Sequence, residues 1–586
     1  MIAQPFFERA PAPVAGLLAA FVPDTNRLVH LNWLDILVIA IYFSAVLGLG
    51  FLLKSQARTS EDFFLAGREM TAWVAGVSFL AANMGALELM GWAAAAYQYG
   101  LLAAHWYWIG AVPAMLFLAL VMMPFYYISK THSVPGYLKL RFGEPTRALS
   151  AISFAGMTIL MSGINMFAMA KVMQVVLGWN LNFSIFISSV TVAVYVTLGG
   201  LRSAILNEVL QFFLIWAGAL VVPILGLIET HGWTGLKARI LANTAENTGY
   251  LHLWTTLGHF KDNSMGIHWT GIVFGLGFVG AMGYWTTDFL VVQRILVAKD
   301  LRAAQMAPII GAWFKMAVPF IVILPGLIGL AVLPGSGLSL VSEGAATAGQ
   351  HTYNEVLPLL LVRYAGPGLL GLGITALIAG FMSGMAGNVS AFAAVWTYDI
   401  YLPLLRPKST DQHMLLVGRW STVLGVLVSI VTAYFAMHFS SIMEYVQALF
   451  SFFVTPLFGT VILGMLWKRA TGLGAFWGLL VGTGSSIGMW IWVQAQPSAL
   501  NRLALSADAQ PMAETLYRML WSWLACVVVT VLISYATRPV SLEKLGGLVY
   551  GCTAIPEQRS YPLVQQPVFW AGAAGVVFLW FQWLFR

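Results

Sequence analysis

Charge is what this sequence has least of. Of 586 residues only 9% are Asp, Glu, Lys or Arg, against about 25% in an ordinary soluble domain, so a water-soluble globule of this size could not cover its surface. The two cysteines, Cys526 in an apolar stretch and Cys552 in a polar one, exclude a disulfide-stapled scaffold. No cysteine or histidine cluster has metal-ligand spacing, no nucleophile–base pair stands out, and no polar stretch is long enough for a kinase or nucleotide-binding domain, so an enzyme is not expected. Hydrophobic residues, by contrast, make up 59% of the chain, with 23 Trp and 36 Phe, and the mean hydropathy is +0.80. That composition excludes a disordered regulator and a nucleic-acid binder. The net charge of +7 has to be read loop by loop.

A bilayer-crossing helix needs about 20 mostly apolar residues. Fourteen such stretches are predicted, near 31–53, 71–96, 101–128, 148–177, 182–200, 204–228, 269–292, 307–333, 367–402, 416–439, 442–467, 472–494, 517–537 and 567–585, giving an all-α polytopic membrane protein. Residues 1–30 hold a short apolar patch, Pro13 to Val22, without the basic start and clear cleavage site of a signal peptide, and read as an extramembrane tail. Lys and Arg concentrate in alternate connections, including Lys54, Arg58 and Arg68, Lys130 to Arg147, Arg294 to Arg302, Lys468 and Arg469, and Arg538 to Arg559. Such loops face the cytoplasm, which puts both termini outside an inner or plasma membrane. The longest external loops, roughly 229–268 and 334–366, are where lids over a vestibule would sit.

Two spans look built to break. The second contains Ala81-Ala82-Asn83-Met84-Gly85-Ala86; the seventh contains Gly275, Gly277, Gly280 and Gly283 before Tyr284-Trp285-Thr286-Thr287-Asp288. Backbone can unwind at membrane depth only inside protein or beside water, and interrupted helices in corresponding positions of two halves point to an inverted-repeat transporter, here 71–228 against 269–467. The expected interruptions lie around Asn83 and around Gly280. Close helix packing is the competing explanation for the glycines. Residues 275–280 also match GxGxxG, but inside an apolar span this is not a dinucleotide site.

Ionisable residues at membrane depth usually mark a pathway. Glu88 and Lys315 fall deep in their spans and are expected to face one cavity. Lys171 reads as a snorkelling lysine, and Glu208 and Asp288 as groups paired with Arg202 or Arg294 or acting directly. Trp106 and Trp108 read as interfacial aromatics, with His105 and Tyr107 as candidates to reach the cavity. Tyr284 and Trp285 offer flat faces for a ring-shaped polar solute, with a packed core as the competing reading. The ninth span is rich in small residues, so the Gly380 carbonyl and Ser383 hydroxyl could meet the carbonyls of Ala81 and Met84 and supply the hard oxygen ligands Na⁺ prefers; the alternative is a Ser383 bonded to its own backbone.

Longer motifs then become visible: Asp62-Phe63-Phe64-Leu65-Ala66-Gly67-Arg68, Gly199-Gly200-Leu201-Arg202 through Glu208 and Gln211, Tyr284 to Asp288 followed by Gln293-Arg294, Lys299, Lys315 to Pro325, Tyr398-Asp399-Ile400-Tyr401, and Trp467-Lys468-Arg469. The chain resembles the sodium/solute symporter family, nearest its sodium/glucose cotransporter branch, over nearly its whole length. The resemblance implies fourteen helices with a five-plus-five inverted-repeat (LeuT-type) core: a leading helix at 31–53, repeats at 71–228 and 269–467 joined by the external loop 229–268, and three further helices in 472–586. It implies alternating access, Na⁺ as the co-transported ion, no other cofactor, and a sugar or polyol as solute. It places the cation at Ala81, Met84, Gly380, Ser383 and Gly384, and the solute at Asn83, Glu88, Lys315 and Gln447 with Tyr284 as inner gate; Tyr107 stands where the family has a Glu and Ala281 where a bacterial galactose transporter has a polar residue. Gly384 stands where sodium-coupled members have a second serine, which leaves room for a water or another carbonyl, or for proton coupling through Glu208. An uncoupled transporter and a non-transporting sensor are the remaining alternatives.

Overall fold

The computed structural model describes residues 31–53, 64, 66–342, 345–346, 350–435, 439, 441–553 and 561–586, with backbone only for 47, 50–53, 67, 191–200 and 202. The expected tail at 1–30, the basic residues Lys54, Arg58 and Arg559, and Asp62, Phe63 and Leu65 of the first motif lie outside these. Among the described residues the fold is helical, and the only β pairing consists of two isolated bridges, Met70 with Ala298 and Val341 with Thr352.

Every predicted apolar stretch falls on a helical segment. Among the described residues nine helices are long and apolar enough to cross a membrane alone, ten with the bent pair formed by Ala72–Asn83 and Ala86–Trp106; the other stretches correspond to the shorter apolar helices Trp33–Val46, Val112–Ile128, Leu181–Val190 and Gly271–Thr287. The fifth and sixth stretches are not separated by a non-helical turn, because helical hydrogen bonding runs unbroken through Leu181–Ala219. Gly199 and Gly200 at the expected junction weaken a helix by about 1 kcal/mol each, which neighbouring packing can offset.

The second span breaks as expected. Ala72–Asn83 starts on Thr71, whose side chain accepts from the Val74 amide, and ends where Met84 leaves helical geometry at φ −80°, ψ 54°. Gly85 is extended and begins Ala86–Tyr99, so the two segments meet at 56°.

The seventh span behaves differently from its prediction. Gly271–Ala281 is wound as a π-helix that runs without interruption into Met282–Thr287, and Gly280 lies inside it. The interruption comes at Asp288, which is extended (φ −69°, ψ 114°) and caps the next helix, Phe289–Leu296, by accepting from the Leu290 amide at 2.9 Å. The glycines serve packing instead. A Cβ on Gly275 would strike the Leu516 carbonyl, one on Gly277 would lie 2.7 Å from Ile109, and one on Gly280 2.6 Å from the Met519 sulfur.

The ninth span, Leu369–Val395, is buried along almost its whole length and packs against the helices Trp33–Leu53, Glu144–Leu177 and Leu181–Ala219 as well as the broken second span. Its start is held by Asp35 of the leading helix, whose Oδ1 accepts from the amides of Gly368 at 2.8 Å and Gly371 at 2.7 Å. Small residues then let it approach the break: a Cβ on Gly380 would lie 3.1 Å from the Met84 carbonyl oxygen.

Candidate functional site

A cavity of about 90 Å³ sits beside the break in the second span. Asn83, Glu88 and Tyr107 line it from the first half of the chain; Tyr284, Trp285, Lys315 and Gln447 line it from the second. Its size is below the roughly 300 Å³ at which small-molecule sites begin, because its polar side chains are drawn together across it.

Lys315 holds that centre. Its Nζ lies 2.6 Å from Glu88 Oε1, donates to Asn83 Oδ1, and stands over the rings of Tyr107 at 4.7 Å and Trp285 at 5.1 Å. Asn83 completes the chain by donating from Nδ2 to Tyr284 Oη at 2.8 Å. The Tyr284 ring packs on Phe450 at 4.8 Å and edge-on to Trp285 at 4.9 Å. Lys315 and Glu88 are 2% and 10% exposed at their side chains, and a buried charge of either sign would be costly without the other. A solute bearing several hydroxyls could take over these donors and acceptors one for one, which is how a polar ligand is discriminated in a low-dielectric site.

Behind this wall the residues of the expected cation set come together. Ser383 Oγ donates to the Ala81 carbonyl at 2.9 Å, across the break and not to its own helix, and Met84 faces Gly380. Gly384 lines the cavity, and a Cβ there would lie 2.7 Å from Asn165 Nδ2.

Glu208 and Asp288 are not in the cavity. Glu208 accepts from Arg294 Nη2 at 2.7 Å through one oxygen and from Nε at 3.4 Å through the other, and also from Ser78; both ionic side chains are fully buried. Asp288 is committed to the helix cap.

Three expectations are corrected by packing. Lys171 does not snorkel: its Nζ lies 3.5 Å from Glu355 Oε1. His105 turns away from the cavity, its Nε2 2.8 Å from the Leu253 carbonyl and its ring edge-on to Trp254. Trp106 lines the cavity and Trp108 is buried, stacked on Phe581 and donating to the Met316 carbonyl at 3.0 Å, so neither is an interfacial residue. Both cysteines are free, and no metal-binding cluster of His, Cys, Asp and Glu occurs among the described residues.

Among the lining residues that had escaped the sequence reading are two side-chain amides, Asn165 and Asn388. Both are neutral amides inside apolar spans; weighing uncharged polar residues there alongside ionisable ones would have found them.

Residues 63–482 match the model of the sodium:solute symporter family. The chain is 30% identical over 541 residues to sodium/glucose cotransporter 4 of Homo sapiens, covering 89% of this chain and 79% of that one. It is 30% identical over 471 residues to sodium/mannose cotransporter SLC5A10 of Bos taurus, covering 77% and 78%. Its fold superposes on a substrate-bound, outward-open Na⁺-coupled sialic acid symporter with a TM-score of 0.69 at 20% identity, covering 87% of this chain and 99% of that one. With residues 63–482 matched to its model and an all-helical fold among the described residues, the chain belongs to the sodium:solute symporter family.

Proposed function

We propose that this protein is a secondary active symporter that couples Na⁺ influx to the uptake of a sugar or polyol by alternating access. The observation that carries the reading is the break at Met84–Gly85, beside which the Ala81 carbonyl meets Ser383 on one side and Asn83 meets Lys315 on the other. An ion bound at Ala81, Met84, Gly380 and Ser383 pins the broken helix to the ninth span. The same movement sets Asn83 and Glu88 against Lys315, Gln447 and Tyr284 around the solute. Coupling requires only that the ion bind one conformation better than the other. One charge crossing 100 mV supplies about 2.3 kcal/mol, enough for roughly fiftyfold accumulation.

Na⁺ suits this geometry better than a proton, since Glu208, the candidate proton carrier, is committed to Arg294. The solute class follows from the neutral and paired polar groups of the cavity and agrees with the glucose and mannose named for the relatives. We further propose fourteen spans, with repeats at 71–228 and 269–467, a plasma or inner membrane location, and both termini outside the cytoplasm.

The test is uptake into proteoliposomes with and without a Na⁺ gradient, using solutes chosen by a thermal-shift screen of sugars and polyols. Concentrative, Na⁺-dependent uptake that disappears in Ser383→Ala is expected. Sodium dependence unchanged in that variant overturns the cation assignment, and counterflow without accumulation identifies an uncoupled transporter.

A further inference from the structure

The proposed cation set, the carbonyls of Ala81, Met84 and Gly380 and the hydroxyl of Ser383, offers four neutral oxygens, whereas hard cations take about six. One more oxygen lies at the same seam. Asn165, on the helix Glu144–Leu177, is 1% exposed, and its Oδ1 has no hydrogen-bond partner. Its Nδ2 donates to the Phe381 carbonyl at 3.4 Å, which sets the sense of the amide: with its ends exchanged, two oxygens would face each other. The amide is aimed between the break and the ninth span, since a Cβ on Gly384 would lie 2.7 Å from Nδ2 and one on Gly85 3.7 Å from Oδ1. A buried acceptor left unpaired is unfavourable, and a cation at this seam is a partner that would satisfy it.

We infer that Asn165 Oδ1 is a side-chain ligand of the transported Na⁺, and that Gly384 is the space its amide requires. The two positions form a complementary pair: a side chain at 384 would displace the amide, and a smaller residue at 165 would leave the shell one oxygen short. The inference rests on the Na⁺ symport reading and adds to it the residue that sets ion affinity.

The test is equilibrium binding of radioactive sodium to the purified full-length chain without solute, comparing wild type with Asn165→Ala, Asn165→Asp, Gly384→Ser and the double variant Asn165→Ala/Gly384→Ser. Asn165→Ala should weaken binding about tenfold or more, the factor that corresponds to about 1.4 kcal/mol. Asn165→Asp, which keeps size and oxygen, should bind at least as tightly as wild type. Gly384→Ser alone should weaken binding, and the double variant, with a hydroxyl in the vacated space, should recover most of the loss; that non-additivity is the signature of a coupled pair. Unchanged binding in Asn165→Ala overturns the inference while leaving Na⁺ symport intact, as does an Asn165→Asp variant that is folded by thermal shift yet binds as weakly as Asn165→Ala. A wild-type chain that binds no Na⁺ overturns the symport reading and this ligand with it.

Discussion

Lys315 and Glu88, 227 residues apart in the chain, meet at 2.6 Å in the middle of the cavity. Breaking a buried pair by removing one partner typically costs 3–5 kcal/mol, because a charge is stranded in low dielectric, whereas removing both is far milder. Lys315→Ala should therefore lower thermal stability more than the double variant Lys315→Ala/Glu88→Ala. It should also weaken solute binding more than Na⁺ binding. Equal losses of the two affinities would make the lysine a structural member only.

Glu208 and Arg294 form a second buried pair, tied to Ser78 on the segment that leads into the break. Because the pair exists in this conformation, weakening it should shift the population toward the alternative one. Glu208→Gln is expected to raise alkylation of a cysteine placed at Ser78, measured in a background where Cys526 and Cys552 are serine. A rate equal to that of the intact pair would show that the pair does not gate this side.

Tyr284 has two separable contacts, the hydroxyl that accepts from Asn83 and the ring that packs on Phe450. Tyr284→Phe removes only the first, worth about 0.5–1.5 kcal/mol, and should change solute affinity by no more than about tenfold with coupling retained. Tyr284→Ala removes the ring as well and should raise solute leak from loaded proteoliposomes. Identical behaviour of the two variants would place the tyrosine outside the gate.

The helical membrane class was legible in the amino-acid sequence, as were the apolar stretches, the break at Asn83–Gly85 and seven of the side chains that line the cavity. These signals are local or chemically rare: apolar runs long enough to span lipid, a small-residue interruption, a lysine and a glutamate where charge is costly. The seventh-span interruption was misplaced for an equally specific reason. Gly275, Gly277 and Gly280 look like a weak point in isolation, yet they are small because Leu516, Ile109 and Met519 press against them. Asp288 breaks the chain because its carboxylate caps the following helix.

Composition and apolar periodicity determined by themselves that this chain lives in a bilayer and which segments are helical, since the hydrophobic effect acts on each segment wherever its neighbours lie. Tertiary structure alone decided which polar groups meet: Glu208 with Arg294 across 86 residues, Asn83 with Tyr284 across 201, Ser383 with Ala81 across 302. Hydrogen bonds and ion pairs act over a few ångströms, so partners distant in sequence are chosen by the packing of the helices that carry them.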